Sequence, residues 1–339
     1  MKRSHVGLED LADWHNLSAA FQRAALGKGR SQEVIEFKSN HLEHLATLRR
    51  DILDGSVAVG DMHRFHIYDP KHRIIHAPCF RERVLHHALM NHVGPELDRA
   101  LVADTYACRV GKGALAAVLR AQQHLRCWRW YGKADMRNYF ASIDHTILLE
   151  LLTRRFKNQG LLALMGRIIH SHHSSLGKGL PIGALTSQQF ANYYLSGLDR
   201  HLLETCRVGG FVRYMDDLVW WGDSRESVRI VWDSASRYAS ECLGLEIKQP
   251  RQIGRSEQGL GFCGYRIFPG RLLLSRRRKR RYIECRNKWE FAYRHGSINS
   301  LDLQAGYAGA LAITVHADAA VWRRQQLQTS PLDESIAAL

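Results

Sequence analysis

The chain has 339 residues, 45% of them hydrophobic, and its 48 Lys and Arg against 33 Asp and Glu give a formal charge of +15. No segment reaches the ~18 consecutive apolar residues of a membrane span, and acidic residues stand where a secretory signal would have its apolar core. The charge indicates a polyanionic partner, because each Lys or Arg that meets a phosphate releases condensed counterions. A basic but inert surface is the alternative.

The cysteines indicate a reducing compartment. There are seven, scattered singly, which argues against a zinc knuckle and against a closed disulfide framework. We therefore expect reduced thiols in an intracellular protein.

The first 60 residues are predicted to be helical. Leu42, Leu45, Leu48 and Ile52 recur at helical spacing, and Gly55 is predicted to end that helix. The basic segment 27–30 is predicted to be a loop between two helices.

A β-hairpin is predicted next, because residues 63–78 alternate around an Asp69-Pro70 turn. Residues 80–126 are predicted to be largely helical, with breaks near Gly94-Pro95 and Gly111. A strand then leads to Asp135.

The sequence after Asp135 predicts further helices and short strands. A helix following Asp135 has Ser142 or Asp144 as its N-cap, and a Gly-rich break precedes another helix at residues 186–205. A helix is predicted to end at Gly244, and residues 259–268 form a Gly-rich strand pair. Without a repeat or a long linker, one α+β body with a C-terminal helical lobe fits best.

The strongest chemical motif is Tyr214-Met215-Asp216-Asp217 between two apolar runs. Two adjacent carboxylates at a predicted hairpin tip repel each other and gain nothing from packing. A cation explains them, because Mg²⁺ prefers oxygen ligands and tolerates few protein groups beside substrate phosphates. An Asp-Asp pair in an ordinary surface turn is the alternative, but YMDD between hydrophobic strands resembles the reverse transcriptases.

That resemblance gives Asp135 a role. Two-metal phosphoryl transfer needs a further carboxylate to bridge ions ~3.5–4 Å apart, and in the polymerase palm the strand carrying the first Asp lies beside the YMDD hairpin. We predict that Asp135, Met136, Asp216 and Asp217 bind two Mg²⁺ ions, for which Mn²⁺ can substitute, and that the three aspartates are the catalytic residues. The alternative for Asp135 alone is a helix N-cap.

The resemblance implies further substrate contacts. Phe140, five residues after Asp135, would lie under the sugar and exclude a 2′-hydroxyl; a core Phe is the alternative. Lys71 and Arg73 on the hairpin would bind the incoming triphosphate, since a guanidinium fork suits phosphate, although exposed hairpin charges are often only solvated. Lys248 matches the palm lysine near the triphosphate, or is a surface lysine.

A primer site and a duplex surface are also implied. Phe262, Gly264 and Tyr265 resemble the hairpin that holds the primer terminus, with an ordinary bulged strand pair as the alternative. The basic run 276–281 is predicted to meet duplex phosphates. The histidines at 86–87 and at 170, 172 and 173 are expected to face RNA or solvent, without a metal.

The lineage is suggested by residues 180–195. Retroviral and group II intron enzymes typically carry Gln where Ile182 stands, whereas an aliphatic residue followed by SQ (Ser187, Gln188) looks like the reverse transcriptases of diversity-generating retroelements. These copy a template-repeat RNA with errors opposite adenines. We predict Ile182 and Gln188 in the substrate pocket.

That family implies a right-hand architecture, and the expected parts are an N-terminal helical segment (1–60), fingers (61–133 and 150–180), palm with an antiparallel sheet (134–149 and 181–268) and helical thumb (269–339). Expected partners are template RNA, the nascent cDNA duplex, deoxynucleoside triphosphates and a pentameric accessory variability protein. The expected location is the cytoplasm of a bacterium or a phage host. The alternatives are a retron, group II intron-derived or phage-defence reverse transcriptase, or a non-catalytic RNA-binding scaffold.

Overall fold

A computed structural model describes residues 3–68 and 72–332. Within these residues the chain forms an α+β fold of fifteen α-helices and nine strands. The helices are α1 (Leu8–Leu11), α2 (Trp14–Ala25), α3 (Gln32–Ser39), α4 (His41–Leu53), α5 (Phe80–Asp98), α6 (Ala114–Cys127), α7 (Tyr139–Ser142), α8 (His145–Thr153), α9 (Gln159–His170), α10 (Leu185–Tyr194), α11 (Ser196–Arg200), α12 (Arg225–Leu243), α13 (Arg276–Arg294), α14 (Ser300–Ala312) and α15 (Ala320–Thr329). The strands are β1 (Met62–Ile67), β2 (Arg73–Pro78), β3 (Trp130–Asp135), β4 (Gly210–Tyr214), β5 (Asp217–Gly222), β6 (Gln252–Arg255), β7 (Leu260–Phe262), β8 (Tyr265–Ile267) and β9 (Leu272–Leu274).

The strands form three antiparallel sheets. Strands β1 and β2 pair as a hairpin, a four-stranded sheet has the order β4-β5-β3-β6, and β7, β8 and β9 form a third sheet. The predicted strand pairing around residues 63–78 is confirmed, while the predicted Asp69-Pro70 turn and Lys71 lie outside the described residues. Among those residues, no helix is both long and apolar enough to cross a membrane.

The four-stranded sheet is covered on both faces. Along β5, Leu218 and Trp220 pack into one core with Trp232 of α12, whereas Val219 and Trp221 pack into a second core with α6 and the third sheet. Since successive side chains of a strand point to opposite faces, burial of both faces requires an unbroken apolar run. The run from Leu218 to Trp221 meets that requirement.

Glycine is required where β3 crosses Trp220. Gly132 is the cross-strand partner of Trp220, and a Cβ built on Gly132 would lie 2.5 Å from that indole ring. A side chain at residue 132 would therefore push β3 and Trp220 apart and disturb the pairing that aligns Asp135 with Asp217.

The predicted helix ends are mostly confirmed. Asp144 caps α8 by accepting hydrogen bonds from the backbone N–H groups of Thr146 and Ile147, and Gly244 ends α12 in the left-handed conformation. The predicted helix over residues 186–205 is divided into α10, α11 and a π-helical turn at His201–Thr205.

The predicted break at Gly94-Pro95 is wrong. Helix α5 continues through both residues to Asp98, and Val93 and Leu97 on either side of them are buried. Proline removes one backbone donor from the helix, but burial of the flanking apolar residues against α2 and α10 outweighs that loss. The chain leaves the helix after Asp98 instead.

The tail differs from an all-helical lobe. Strand β9 comes first and pairs with β8, and only then do α13, α14 and α15 follow. Arg278, within the basic run, lies 4.1 Å from the centre of the Tyr265 ring and donates to the carbonyl of Ile313. This part of the basic run therefore packs on the protein.

The expectation that both histidines at 86–87 face RNA or solvent is also wrong. His86 is 1% exposed, and its Nε2 lies 3.4 Å from Oε1 of the equally buried Glu82. His87 is half-buried. Both lie on α5, where the neighbouring apolar residues Leu85 and Ala88 are buried in the core.

Acid sensitivity is expected from His87. Burial, with a contribution from Arg83, lowers the pKa of His87 to about 4, against ~6.5 in an unfolded chain. The unfolded chain therefore takes up the proton first as the pH falls, so the free energy of unfolding should decrease between about pH 6.5 and pH 4. Urea unfolding at pH 7.5 and pH 5 should show a smaller decrease for His87→Gln than for the wild type or for His15→Gln, an exposed control; equal decreases would contradict it.

Candidate active site

The strand register brings the three aspartates together. Asp135 is the last residue of β3, and it is the direct cross-strand partner of Asp217, the first residue of β5. Asp216 precedes Asp217 in the turn between β4 and β5. The predicted hairpin with two acids at its tip is confirmed. Asp135 and Asp216, which are 81 positions apart in the sequence, meet at the same end of β3 and β5.

The turn that carries Asp216 has an unusual backbone. Only Met215 and Asp216 connect the paired residues Tyr214 and Asp217, and Met215 has a φ of 57°. The left-handed region is uncommon for a non-glycine residue, and such strained residues cluster at functional sites. The surrounding structure must therefore hold this turn in place.

Burial makes the carboxylates electrostatically costly. Burial, followed by repulsion from Asp135, raises the pKa of Asp216 to about 6. Burial also raises the pKa of Asp217 to about 7, against the opposing effect of the Lys133 ammonium. A site that holds two such groups side by side is one that a cation stabilises.

Two lysines contact these carboxylates. Lys248 Nζ lies 2.7 Å from Oδ1 of Asp135, and its backbone N–H donates to the carbonyl of Asp135. Lys133 Nζ lies 3.1 Å from Oδ2 of Asp217 and donates to the carbonyl of Gly261. Lys133 was not predicted from the sequence; the available signal is its position two residues before Asp135, which places both on the same face of β3.

The carboxylate oxygens fit a cation whose coordination shell is completed by substrate phosphates. Within residues 3–68 and 72–332, no three His, Cys, Asp or Glu side chains form a ready-made metal cage. However, Oδ1 of Asp217 is buried without a hydrogen-bond partner, and oxygen donors are what Mg²⁺ prefers. Mg²⁺ commonly takes one or two carboxylates together with substrate phosphates, and the unpaired oxygen of Asp217 is a donor of this kind.

Met136 can contribute only through its backbone. Its side chain is fully buried in the core. Its backbone forms an isolated antiparallel β-bridge with Ile247. This bridge, next to the Lys248–Asp135 contact, holds the end of β3 against the segment that carries Lys248.

Backbone hydrogen bonds link the three segments that carry the predicted substrate residues Arg73, Phe140 and Ile182. The carbonyl of Phe140 accepts a hydrogen bond from Leu180 N, and the carbonyl of Ile182 accepts one from His76 N on β2, the strand that begins with Arg73. A Cβ on Gly183 would lie 2.8 Å from the carbonyl oxygen of His76, and Gly183 has a φ of 126°. Segment 180–183 therefore fastens the helix of Phe140 to the β1–β2 hairpin.

Exposure differs among these residues. Arg73 and Gln188 are exposed, whereas Phe140 and Ile182 are half-buried. Gln188 contacts Cys108, whose Sγ lies 3.7 Å from its Oε1.

The hairpin predicted to hold the primer is a two-residue turn close to Asp217. Cys263 and Gly264 have φ values of 45° and 81° between the paired residues Phe262 and Tyr265, which is the pattern of a type I′ turn. Burial raises the pKa of the Cys263 thiol, and the Asp217 carboxylate adds to the increase.

Direct ring contacts from this hairpin are not supported by its burial. Phe262 and Tyr265 are only 2% and 3% exposed, because both side chains point into the second core. The hairpin therefore presents its backbone and Gly264 rather than these two rings.

Comparison with known proteins identifies the class. Residues 68–253, more than half of the chain, match the family described as reverse transcriptase (RNA-dependent DNA polymerase), and the chain belongs to this family. The matched segment contains the three aspartates, Phe140, Ile182 and Lys248.

Two curated relatives are similar over part of their length. One is the putative COX1/OXI3 intron 2 protein of Saccharomyces cerevisiae, 21% identical over 228 residues that cover 48% of this chain and 26% of the relative. The other is protein YkfC of Escherichia coli K12, 24% identical over 195 residues that cover 53% of this chain and 50% of the relative. The chain thus spans half or less of the length of these relatives.

Proposed function

We propose that the protein is an RNA-directed DNA polymerase that extends a primer with deoxynucleotides. The observation that carries this proposal is the register of Asp135 against Asp217, which places both beside Asp216 within the segment that matches the family. A non-catalytic RNA-binding scaffold has no use for three carboxylates whose burial raises the pKa of two of them.

The side chains have distinct roles in this reaction. Asp135, Asp216 and Asp217 would hold a pair of Mg²⁺ ions, which would lower the pKa of the primer 3′-hydroxyl and neutralise charge on the triphosphate. Lys248, within hydrogen-bond distance of Asp135, is positioned to donate a proton to the leaving pyrophosphate. Lys133 holds Asp217 against the backbone of Gly261.

The architecture supports a right-hand assignment. We place the fingers at residues 61–129 and 150–180, the palm at 130–149 and 181–274, and the thumb from 275, preceded by the helical segment 1–60. The palm begins at Trp130 and not at 134 because β3 belongs to the four-stranded sheet. The pairing of β9 with β8 moves the proposed end of the palm to Leu274. Template RNA, the cDNA duplex and deoxynucleoside triphosphates are the proposed ligands, with duplex binding that weakens steeply with salt.

We further propose that the enzyme belongs to the diversity-generating lineage. Ile182 cannot hydrogen-bond to the nascent base pair or the sugar, so checking of the incoming nucleotide is weaker than with Gln. In this lineage the enzyme acts with a pentameric accessory variability protein on a template-repeat RNA. An intron-derived enzyme is the second candidate, because the yeast relative is named as an intron protein.

Fidelity at template adenines separates these candidates. We expect the wild type to make cDNA with errors concentrated opposite adenines, and Ile182→Gln to reduce those errors about tenfold, the scale of one side-chain contact of ~1.4 kcal/mol. The measurement is sequencing of cDNA made on a defined RNA, with and without the element's RNA and accessory protein. Ile182→Val, which keeps an aliphatic side chain, should leave the error spectrum unchanged.

The outcomes are distinct. Faithful cDNA from the wild type would keep the polymerase and discard the diversity-generating lineage. An Ile182→Gln enzyme with the wild-type spectrum would remove Ile182 as the cause. No product under any condition would favour the scaffold.

A further inference from the structure

A charged residue lies in the middle of the apolar strand that leads into the catalytic turn. Arg213 is 0% exposed, and it follows the buried residues Phe211 and Val212 on β4. Arginine is almost never fully buried unless its charge is paired. Each N–H group of the buried guanidinium therefore needs a hydrogen-bond acceptor.

All five guanidinium N–H groups of Arg213 have an acceptor. Nε and Nη2 donate to the two carboxylate oxygens of Asp199 at 2.7 and 2.6 Å, and Nη1 and Nη2 donate to the side-chain and backbone oxygens of Asn192 at 2.8 and 3.0 Å. The remaining Nη1 donor lies 2.9 Å from the carbonyl oxygen of Met215. An arginine has five such donors, so this site uses its full capacity.

The bond to Met215 links the cluster to the catalytic turn. Met215 is the residue with the left-handed backbone, and its carbonyl belongs to the peptide that joins it to Asp216. The guanidinium therefore holds the peptide immediately before this predicted metal ligand. On its other side it is anchored to α10 and α11, which carry Asn192 and Asp199.

The same cluster reaches the segment before α6. Thr105 donates to Asp199 at 3.1 Å, and Asn192 Nδ2 donates to the carbonyl of Ala107 at 2.8 Å. The backbone of Arg213 also exchanges hydrogen bonds with this segment, donating to Asp104 and accepting from Tyr106. Thr105, Asn192 and Asp199 are each 0% exposed, so the cluster is closed to water.

We propose that Arg213 is a positioning residue, which fixes the Met215–Asp216 peptide through the buried cluster of Thr105, Asn192 and Asp199. This inference rests on the proposed polymerase function. A buried ion pair is a weak source of stability, because desolvation offsets its attraction, and a well-packed apolar pair would fill the same space. The five-donor geometry instead specifies where the turn lies relative to α10, the helix that also carries Gln188.

Arg213→Lys tests the position of the turn. Lysine keeps the charge opposite Asp199 but has three donors on a flexible stem, so it cannot reach Asp199, Asn192 and Met215 together. We expect kcat for primer extension to fall about 100-fold, the scale of a 1 Å misplacement, with little change in KM for deoxynucleotides. Hydrogen–deuterium exchange in metal-free protein should rise for the peptide spanning residues 210–222.

Two further variants separate positioning from folding. In Arg213→Met/Asp199→Leu both charges leave together, so no unpaired charge stays buried. The oxygens of Asn192 and Met215 lose their donor, so a folded protein with a lower melting temperature and the same loss of kcat is expected. Arg286→Lys is the matched control: Arg286 is 3% exposed, pairs with Glu290 at 2.8 Å and donates to the carbonyl of Gln326 on α15. It should leave exchange across residues 210–222 unchanged.

The result that overturns the proposal is wild-type kcat in a folded Arg213→Lys or double variant. Failure of both variants to fold would assign the cluster to folding and overturn it equally. An inactive wild-type protein would instead refute the proposed polymerase function, while the exchange comparison would still report on the turn.

Discussion

Asp216→Asn is expected to reduce deoxynucleotide incorporation by at least about 10³-fold without loss of the fold. The substitution keeps the shape of the side chain but removes the charge that a cation requires. Loss of a single transition-state contact costs about 10²–10³-fold, and loss of a metal ligand should exceed that. Single-turnover primer extension with Mg²⁺ measures the effect.

The same variant should unfold no more easily than the wild type. Burial and Asp135 raise the pKa of Asp216 to about 6, above its value of ~3.9 in an unfolded chain. The charged form is therefore disfavoured in the folded state, so the free energy of unfolding decreases as the pH rises from about 4 to about 6 and stays lower above that. In EDTA at pH 7, Asp216→Asn should be at least as stable as the wild type, and the difference should vanish as the pH approaches 4.

Asp223→Asn is the matched control. Asp223 is exposed just beyond the far end of β5, so its loss should affect neither activity nor stability. Substantial activity in Asp216→Asn, or a stability loss at pH 7 in EDTA, would contradict the assignment of Asp216 as a half-buried metal ligand.

Phe140→Ala is expected to open the site to ribonucleotides. Tyr139 is 3% exposed and its hydroxyl donates to the carbonyl of Ala191, which anchors α7. The half-buried Phe140 ring packs on Tyr139 at a centroid distance of 5.7 Å. An apolar side chain rejects an added hydroxyl by steric exclusion, with discrimination of about 10²-fold, and alanine removes the ring that provides it.

The measurement compares incorporation of dCTP and CTP opposite a template guanine. Phe140→Ala should lower the ratio of the two kcat/KM values by up to about 100-fold, whereas Phe140→Tyr keeps the ring and should preserve discrimination. An unchanged ratio in Phe140→Ala would return Phe140 to the role of a core residue.

The local elements could be predicted from short stretches of sequence. Helical spacing of Leu45, Leu48 and Ile52 predicted a helix, and these three side chains are buried in α4. Two apolar runs on either side of Asp216-Asp217 predicted a hairpin, and the pairing of β4 with β5 confirms it. Such signals are local, because helix and strand periodicity repeat within a few residues.

Where a local rule failed, packing outweighed it. Gly94 and Pro95 predicted a break that burial of α5 overrides. Phe262 and Tyr265 were assigned to primer contact, yet they face the second core. A periodicity shows that one face is buried, but it does not show which partner buries it.

The sequence by itself determined the class of chemistry: two adjacent acids on a hairpin, a third acid ending a strand, and a basic chain suited to nucleic acid. Only the tertiary structure decided that Asp135 faces Asp217, that Lys133 and Lys248 contact these acids, and that Arg213 secures the turn. The reason is that strand register and burial depend on residues distant in the sequence. The structure alone also showed the requirement at Gly132, which comes from the indole of Trp220 on the neighbouring strand.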